Sequence, residues 1–157
     1  MSLNVPGPEK LASLVSGVTQ TMFGMSFRLA ASRDVAPWRD DPPWTTVLLP
    51  IPGKQPVTIA IAADEAGGRV LGGQMFSCGP ESLDPGMVDD SLRELANIVA
   101  GQVKSAMGLD QALGLPKLVR ADGKGEGLST QPWRTATLES GSTKIVVWVA
   151  VVESHVV

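Results

Sequence analysis

The sequence predicts an α+β protein made of a duplicated unit of helix, strand, connection and hairpin, and three observations carry that expectation. Residues 8–23 and 89–108 each repeat apolar side chains at helical spacing. Four β-rich runs fall into two pairs, each joined by a short turn. The same order of elements then occurs twice, with Gly17 and Gly24 seven apart in the first helix and Gly101 and Gly108 seven apart in the second. Each half would span about seventy residues, which marks a repeated structural unit.

The elements follow in order. Pro8 sits where a first helical turn tolerates proline, and Leu11, Leu14, Val15, Val18 and Met22 form an apolar face, so a helix is expected from Pro8 to Phe23, ended by Gly24. Phe27 and Leu29 alternate with Ser26 and Arg28, which predicts a strand fading near Ser32. Residues 33–44 hold three prolines and read as a connection, with Trp38 and Trp44 expected to pack it onto the core. Thr45–Ile51 and Val57–Ala62 form a hairpin around Pro52-Gly53-Lys54-Gln55. Asp64 is placed to cap a helix through Phe76, although Gly67, Gly68, Gly72 and Gly73 make it a poor one by propensity. Those glycines lack a Walker lysine or a Gly-x-Gly-x-x-Gly pattern, so close packing or flexibility is the expectation over phosphate binding. Residues 77–88 read as a loop. After the second helix come a short strand at Lys117–Arg120, a Gly- and charge-rich loop, and strands at Trp133–Glu139 and Thr143–Val152 joined through Ser140-Gly141-Ser142. The last run is apolar on both faces, as a central strand is.

A chain of 157 residues is most simply one domain, here 1–157. With 43% hydrophobic and 18% charged residues it has the composition of a folded soluble protein. A net charge of -3 and no basic run argue against nucleic acid as a partner, because nothing would neutralise phosphates. Cys78 and His155 are the only residues of their kinds, which leaves no disulfide and no zinc set. The longest apolar run, Ile145–Val152, is too short to span a bilayer, so no membrane association and a cytoplasmic location are expected.

The second helix carries the chemistry. Leu92, Leu95, Ala96, Val99, Val103 and Ala106 fall within roughly 100° of arc and make a core face. Opposite them Asp90, Glu94, Asn97 and Gly101 lie within roughly 60° and form a line up the helix. Asp89 or Asp90 is expected to cap the start and Gly108 to end it. By geometry alone such a line reads first as a solvated face.

The embedding changes that balance. Asp90-x-x-x-Glu94-x-x-Asn97, within Glu-Leu-Ala-Asn-Ile-Val-Ala-Gly and followed by Pro116, resembles the signature helix of the chemotaxis phosphatase family that includes CheC, CheX and FliY. That resemblance implies a CheC-like fold, with long helices packed on a mostly antiparallel sheet. Some members carry two signature helices and CheX carries one. Superposing the glycines here sets Lys10 opposite Glu94 and Ser13 opposite Asn97, so only the second half carries the polar pair and the chain resembles CheX.

The resemblance also implies an activity: hydrolysis of the aspartyl phosphate on a CheY-type response regulator. Asn97 would orient the attacking water and Glu94 would pair with the regulator's lysine. Asp90 and Gly101 would belong to the docking face, Asp90 reading otherwise as an N-terminal charge favoured by the dipole and Gly101 as a packing residue. The chain would need no cofactor of its own, because the regulator supplies Mg²⁺, and would act as a homodimer. The alternative expectation is a non-catalytic adaptor binding a response regulator or a flagellar switch component. A third, a small-molecule-binding domain, would use the Gly-rich middle.

Overall fold

The computed structural model describes residues 5–30, 44–54, 56–120, 134–140 and 145–153, with backbone alone at 80, 120, 134–135 and 145–153. Helix α1 (Pro8–Phe23) keeps its expected bounds: Pro8 opens it, and Gly24 closes it in the left-handed region at φ 66°. Strand β1 (Arg28–Leu29) is short. Strands β2 (Thr45–Ile51) and β3 (Val57–Ala63) form the first hairpin, with Ile51 opposite Val57. Helix α2 (Glu65–Phe76) is capped by Asp64, whose carboxylate accepts from the Gly67 N–H at 2.7 Å. A 3₁₀ turn (Pro80–Ser82) leads to helix α3 (Pro85–Ala106), and strands β4 (Lys117–Arg120), β5 (Arg134–Ser140) and β6 (Ile145–Glu153) complete the sheet. The loop of 121–130, the Ser140–Ser142 turn beyond Ser140, Trp38, Trp133 and His155 lie outside the described residues.

The sheet is antiparallel throughout, in the order β1-β5-β6-β3-β2-β4. Exchanging β1–β3 for β4–β6 and reading from the other end returns the same order. The sheet is therefore built on an approximate two-fold between β3 and β6, which pair with Ala60 opposite Ala150. Strand β6 is central, as its apolar sequence requires.

The helices obey the same relation: α1 packs on β5, α3 on β2, and the two helices touch each other. Gly108 has φ 69°, close to the 66° of Gly24, so both helices stop at a residue that glycine alone adopts without strain. The register these glycines fix pairs Leu11, Ala12 and Val15 with Leu95, Ala96 and Val99, identical residues that are all buried. The repeat thus extends to the inner faces of the helices.

One hydrophobic core lies between the helices and the sheet. It joins Leu11 and Val15 of α1, Val47, Leu49 and Ile51 of β2, Val57, Ile59 and Ile61 of β3, and Leu92, Leu95, Val99 and Val103 of α3. Each such side chain contributes about 1.5–3 kcal/mol on leaving water. Trp44 is buried at 4% exposure, as expected of the connection's anchor.

Helix α2 forms despite its glycines because packing overrides propensity. A Cβ at Gly68 would stand 2.9 Å from Val88 Cγ1, and one at Gly72 would stand 3.3 Å from Leu83 Cδ2, so bare backbone lets α2 lie close against α3. The close-packing reading of the Gly-rich segment is the one the fold uses.

Candidate functional site

Helix α3 starts earlier than the expected Asp89. Asp84 is its N-cap, with the carboxylate accepting from the Met87 N–H at 2.9 Å, and Pro85 takes the first helical position. The Asp84-Pro85 pair is the signal for that start, a cap residue followed by the one residue type preorganised for N1. Asp89 is then not a cap but a buried residue, 9% exposed, where α3 passes the start of α2. At the other end Ala106 is exposed while Ala100 and Met107 are buried, so the apolar stripe turns to their side in the last turns. The helix closes with Leu109 N–H donating to the Lys104 carbonyl at 3.0 Å and Gly108 N–H to the Ser105 carbonyl at 3.1 Å.

The four candidate residues lie on one outward line. Asp90, Glu94 and Asn97 are exposed and Gly101 is half-buried, while Leu92, Leu95, Ala96 and Val99 on the opposite face are fully buried. Among the described residues no hydrogen bond or ion pair engages Glu94 or Asn97. Their polar groups are left to solvent or to a visitor. Asp90 differs, because its Oδ1 accepts from Arg93 Nη1 at 3.0 Å in an exposed i,i+3 pair. It is also six residues into the helix, beyond the first turn where the dipole favours an anion. Among the described residues a Cβ at Gly101 would meet nothing within 4 Å, so packing against them does not require glycine there.

The line is convex. A cavity of about 230 Å³ opens between the starts of α2 and α3, lined by Asp64, Arg69, Asp84 and Asp89 among others, and a groove between α1 and α3 includes Gly17, Ile98 and Gln102. Neither includes Asp90, Glu94, Asn97 or Gly101. A carboxylate and an amide one turn apart, outside both of these cavities, have the chemistry of half a site. Among the described residues no three His, Cys, Asp or Glu side chains converge to hold a metal ion, and no helix is long and apolar enough to cross a membrane.

A helical layer on a two-fold repeated antiparallel sheet, with one polar line facing outward, defines a CheC-like protein. Sequence and structure comparisons place it further. The family described as chemotaxis phosphatase CheX matches residues 45–130, which span β2 to β4 and include all of α3, and the chain belongs to that family. Solved structures agree on the fold. The chemotaxis protein CheX from Vibrio vulnificus is 16% identical with a TM-score of 0.70, covering 92% of this chain and 93% of that one. CheX in a CheX–CheY–BeF₃–Mg²⁺ complex from Borrelia burgdorferi is 12% identical with a TM-score of 0.67, covering 97% and 100%. A FliM–SpeE complex from H. pylori is also similar, at 7% identity and a TM-score of 0.62, covering 92% and 82%. No curated protein matches the sequence.

Proposed function

We propose that this protein hydrolyses the aspartyl phosphate of a CheY-type response regulator, entering the regulator's active site with Glu94 and Asn97. The observation that carries the reading is the state of those two side chains: exposed, one turn apart, and unengaged by anything described in their own chain. Membership of the CheX family and the likeness in fold to a CheX held in complex with CheY support the choice of partner.

Hydrolysis of an acyl phosphate needs a water placed in line with the bond to be broken. The Asn97 amide donates through its NH₂ and accepts through its carbonyl, so it can fix a water without taking its proton. The water oxygen forms the new bond to phosphorus, the bond to the aspartyl oxygen breaks with its electrons passing to the carboxylate, and inorganic phosphate leaves carrying the protons of the water. Glu94 pairs with a lysine of the regulator and seats the helix. Mg²⁺ belongs to the regulator and neutralises charge on the phosphoryl oxygens.

The test is the lifetime of the aspartyl phosphate on the host's CheY-type regulators, with Mg²⁺. Intact protein is expected to shorten it, and Asn97→Ala to lose about a hundredfold in turnover, the scale of mispositioning a reactant, with less effect on binding. Full turnover in that variant would remove Asn97 from the mechanism. Binding to one regulator with no change in any phosphate lifetime would leave the non-catalytic adaptor.

A further inference from the structure

The i,i+3 relation of Glu94 to Asn97 occurs a second time on the outer side of α3. Four residues earlier, just over one turn, Asp90 stands in the same relation to Arg93. Both leading residues are exposed carboxylates, separated by about 6 Å along the helix axis and about 40° around it. A lysine reaching toward this face therefore meets two anions, and only one of them is followed by an amide. A partner seated one turn early would find Arg93 where Asn97 should be. A guanidinium donates hydrogen bonds and accepts none, so it cannot hold a water through both donor and acceptor as the amide does.

The two carboxylates are not in the same state. Asp90 Oδ1 accepts from Arg93 Nη1 at 3.0 Å, with 65% of the Asp90 side chain and 41% of the Arg93 side chain exposed. Among the described residues no hydrogen bond or ion pair engages Glu94. Arg93 thus compensates the charge of Asp90 and sets a cation in the path of any other cation that approaches it. Such a pair adds little to the helix, because exposed ion pairs are screened by water and salt. It matters to a partner that must choose between two anions one turn apart.

We propose that Arg93 sets the docking register of the regulator. By occupying Asp90 it closes a false seat one turn before the true one, so that the regulator's lysine settles on Glu94 and the phosphoryl group comes to Asn97. This rests on the reading of Glu94 as the partner of that lysine. Arg93 is a positioning residue, touching neither the phosphoryl group nor the water.

Opening the false seat has a kinetic signature unlike that of losing a contact. A regulator held on Asp90 is bound without being turned over, which lowers kcat and KM by the same factor. The ratio kcat/KM holds, because it refers to free enzyme and free regulator and an idle complex changes neither. Where the two seats attract equally, half of the complexes are idle and each constant falls about twofold.

The experiment measures initial rates of dephosphorylation over a range of phosphorylated regulator concentrations, with Mg²⁺. Wild type is compared with Arg93→Ala, with Arg93→Lys, and with Arg93→Ala joined to Asp90→Asn, and the melting temperature checks that every variant is folded. Arg93→Ala is expected to lower kcat and KM together, by about twofold or more, while kcat/KM holds. Arg93→Lys keeps a cation beside Asp90 and should keep both constants near those of wild type. Adding Asp90→Asn to Arg93→Ala should bring both constants back, because it removes the false seat itself. Unchanged kcat and KM in Arg93→Ala beside an active wild type overturn the false seat and leave the roles of Glu94 and Asn97 standing. A fall in kcat/KM that Asp90→Asn does not repair overturns the masking role and makes Arg93 a direct contact of the regulator. A wild type without effect on the phosphate overturns the reading of Glu94 and Asn97, and this inference with it.

Discussion

Helices α1 and α3 occupy equivalent places over the two halves of one sheet and end at glycines of nearly equal φ, yet they differ on the face turned to solvent. Their buried residues agree to the point of identity at three core positions, Leu11 with Leu95, Ala12 with Ala96 and Val15 with Val99. Their exposed residues disagree in charge, Lys10 against Glu94. Packing explains the agreement, because interiors at crystal-like density feel a single methylene. It cannot explain the disagreement, because an exposed side chain on either helix touches nothing that the fold needs. Under the proposed function, the requirement on Glu94 and Asn97 comes from outside the chain.

Three sets of substitutions break or sharpen that contrast. The largest effect is expected from giving α3 the charge of α1. Glu94→Lys replaces an attraction with a repulsion, a like-charge juxtaposition that costs several kcal/mol, and should lower kcat/KM toward a phosphorylated regulator by about a hundredfold or more while the melting temperature holds. A wild-type rate constant would show that the carboxylate plays no part in docking.

A smaller effect should come from the two open glycines. Gly101→Leu places bulk on the regulator-facing line and is expected to reduce turnover about tenfold, the scale of one poorly accommodated side chain, whereas Gly17→Leu should leave it unchanged. Neither should lower stability, since a Cβ at both positions meets open space. Equal losses of turnover would mean that the regulator covers both helices.

The smallest effect concerns the helix starts. Asp84 caps α3 with its side chain, while α1 begins at Gly7 without a side-chain cap. Asp84→Ala should cost about 1 kcal/mol in a denaturant titration, and Gly7→Asp should gain a few tenths. Phosphatase turnover should follow neither change, because both lie away from the outer lines.

Much of this fold is legible in the amino-acid sequence, and the exceptions have physical causes. The bounds of α1 follow from a proline, an apolar period and a glycine, three signals that agree. The sequence points to too late a start for α3 because Asp89 and Asp90 offer the same capping chemistry as Asp84, and only the proline after Asp84 separates them. Helix α2 goes against its own propensity because the cost of its glycines is offset by contact with Val88 and Leu83, and such contacts between elements leave no mark in hydrophobic periodicity. The alignment of Asp90, Glu94, Asn97 and Gly101 follows from 3.6-residue geometry, while their standing as a candidate site rests on the resemblance to the signature helix. That Asn97 and Glu94 stand unengaged while Asp90 is held by Arg93 is not legible there, because it depends on where side chains settle.

The bare face of α2 has a bearing on the site that it never touches. Gly68 stands against Val88, less than two turns of α3 before Glu94, with no room for a methyl group between them. Helix α2 thus meets α3 at a separation that a side chain at Gly68 would have to widen. The aim of an amide at a water is sensitive to such fractions of an ångström, so under the proposed function the glycines would hold an alignment tolerance for Asn97, nine residues further along the chain.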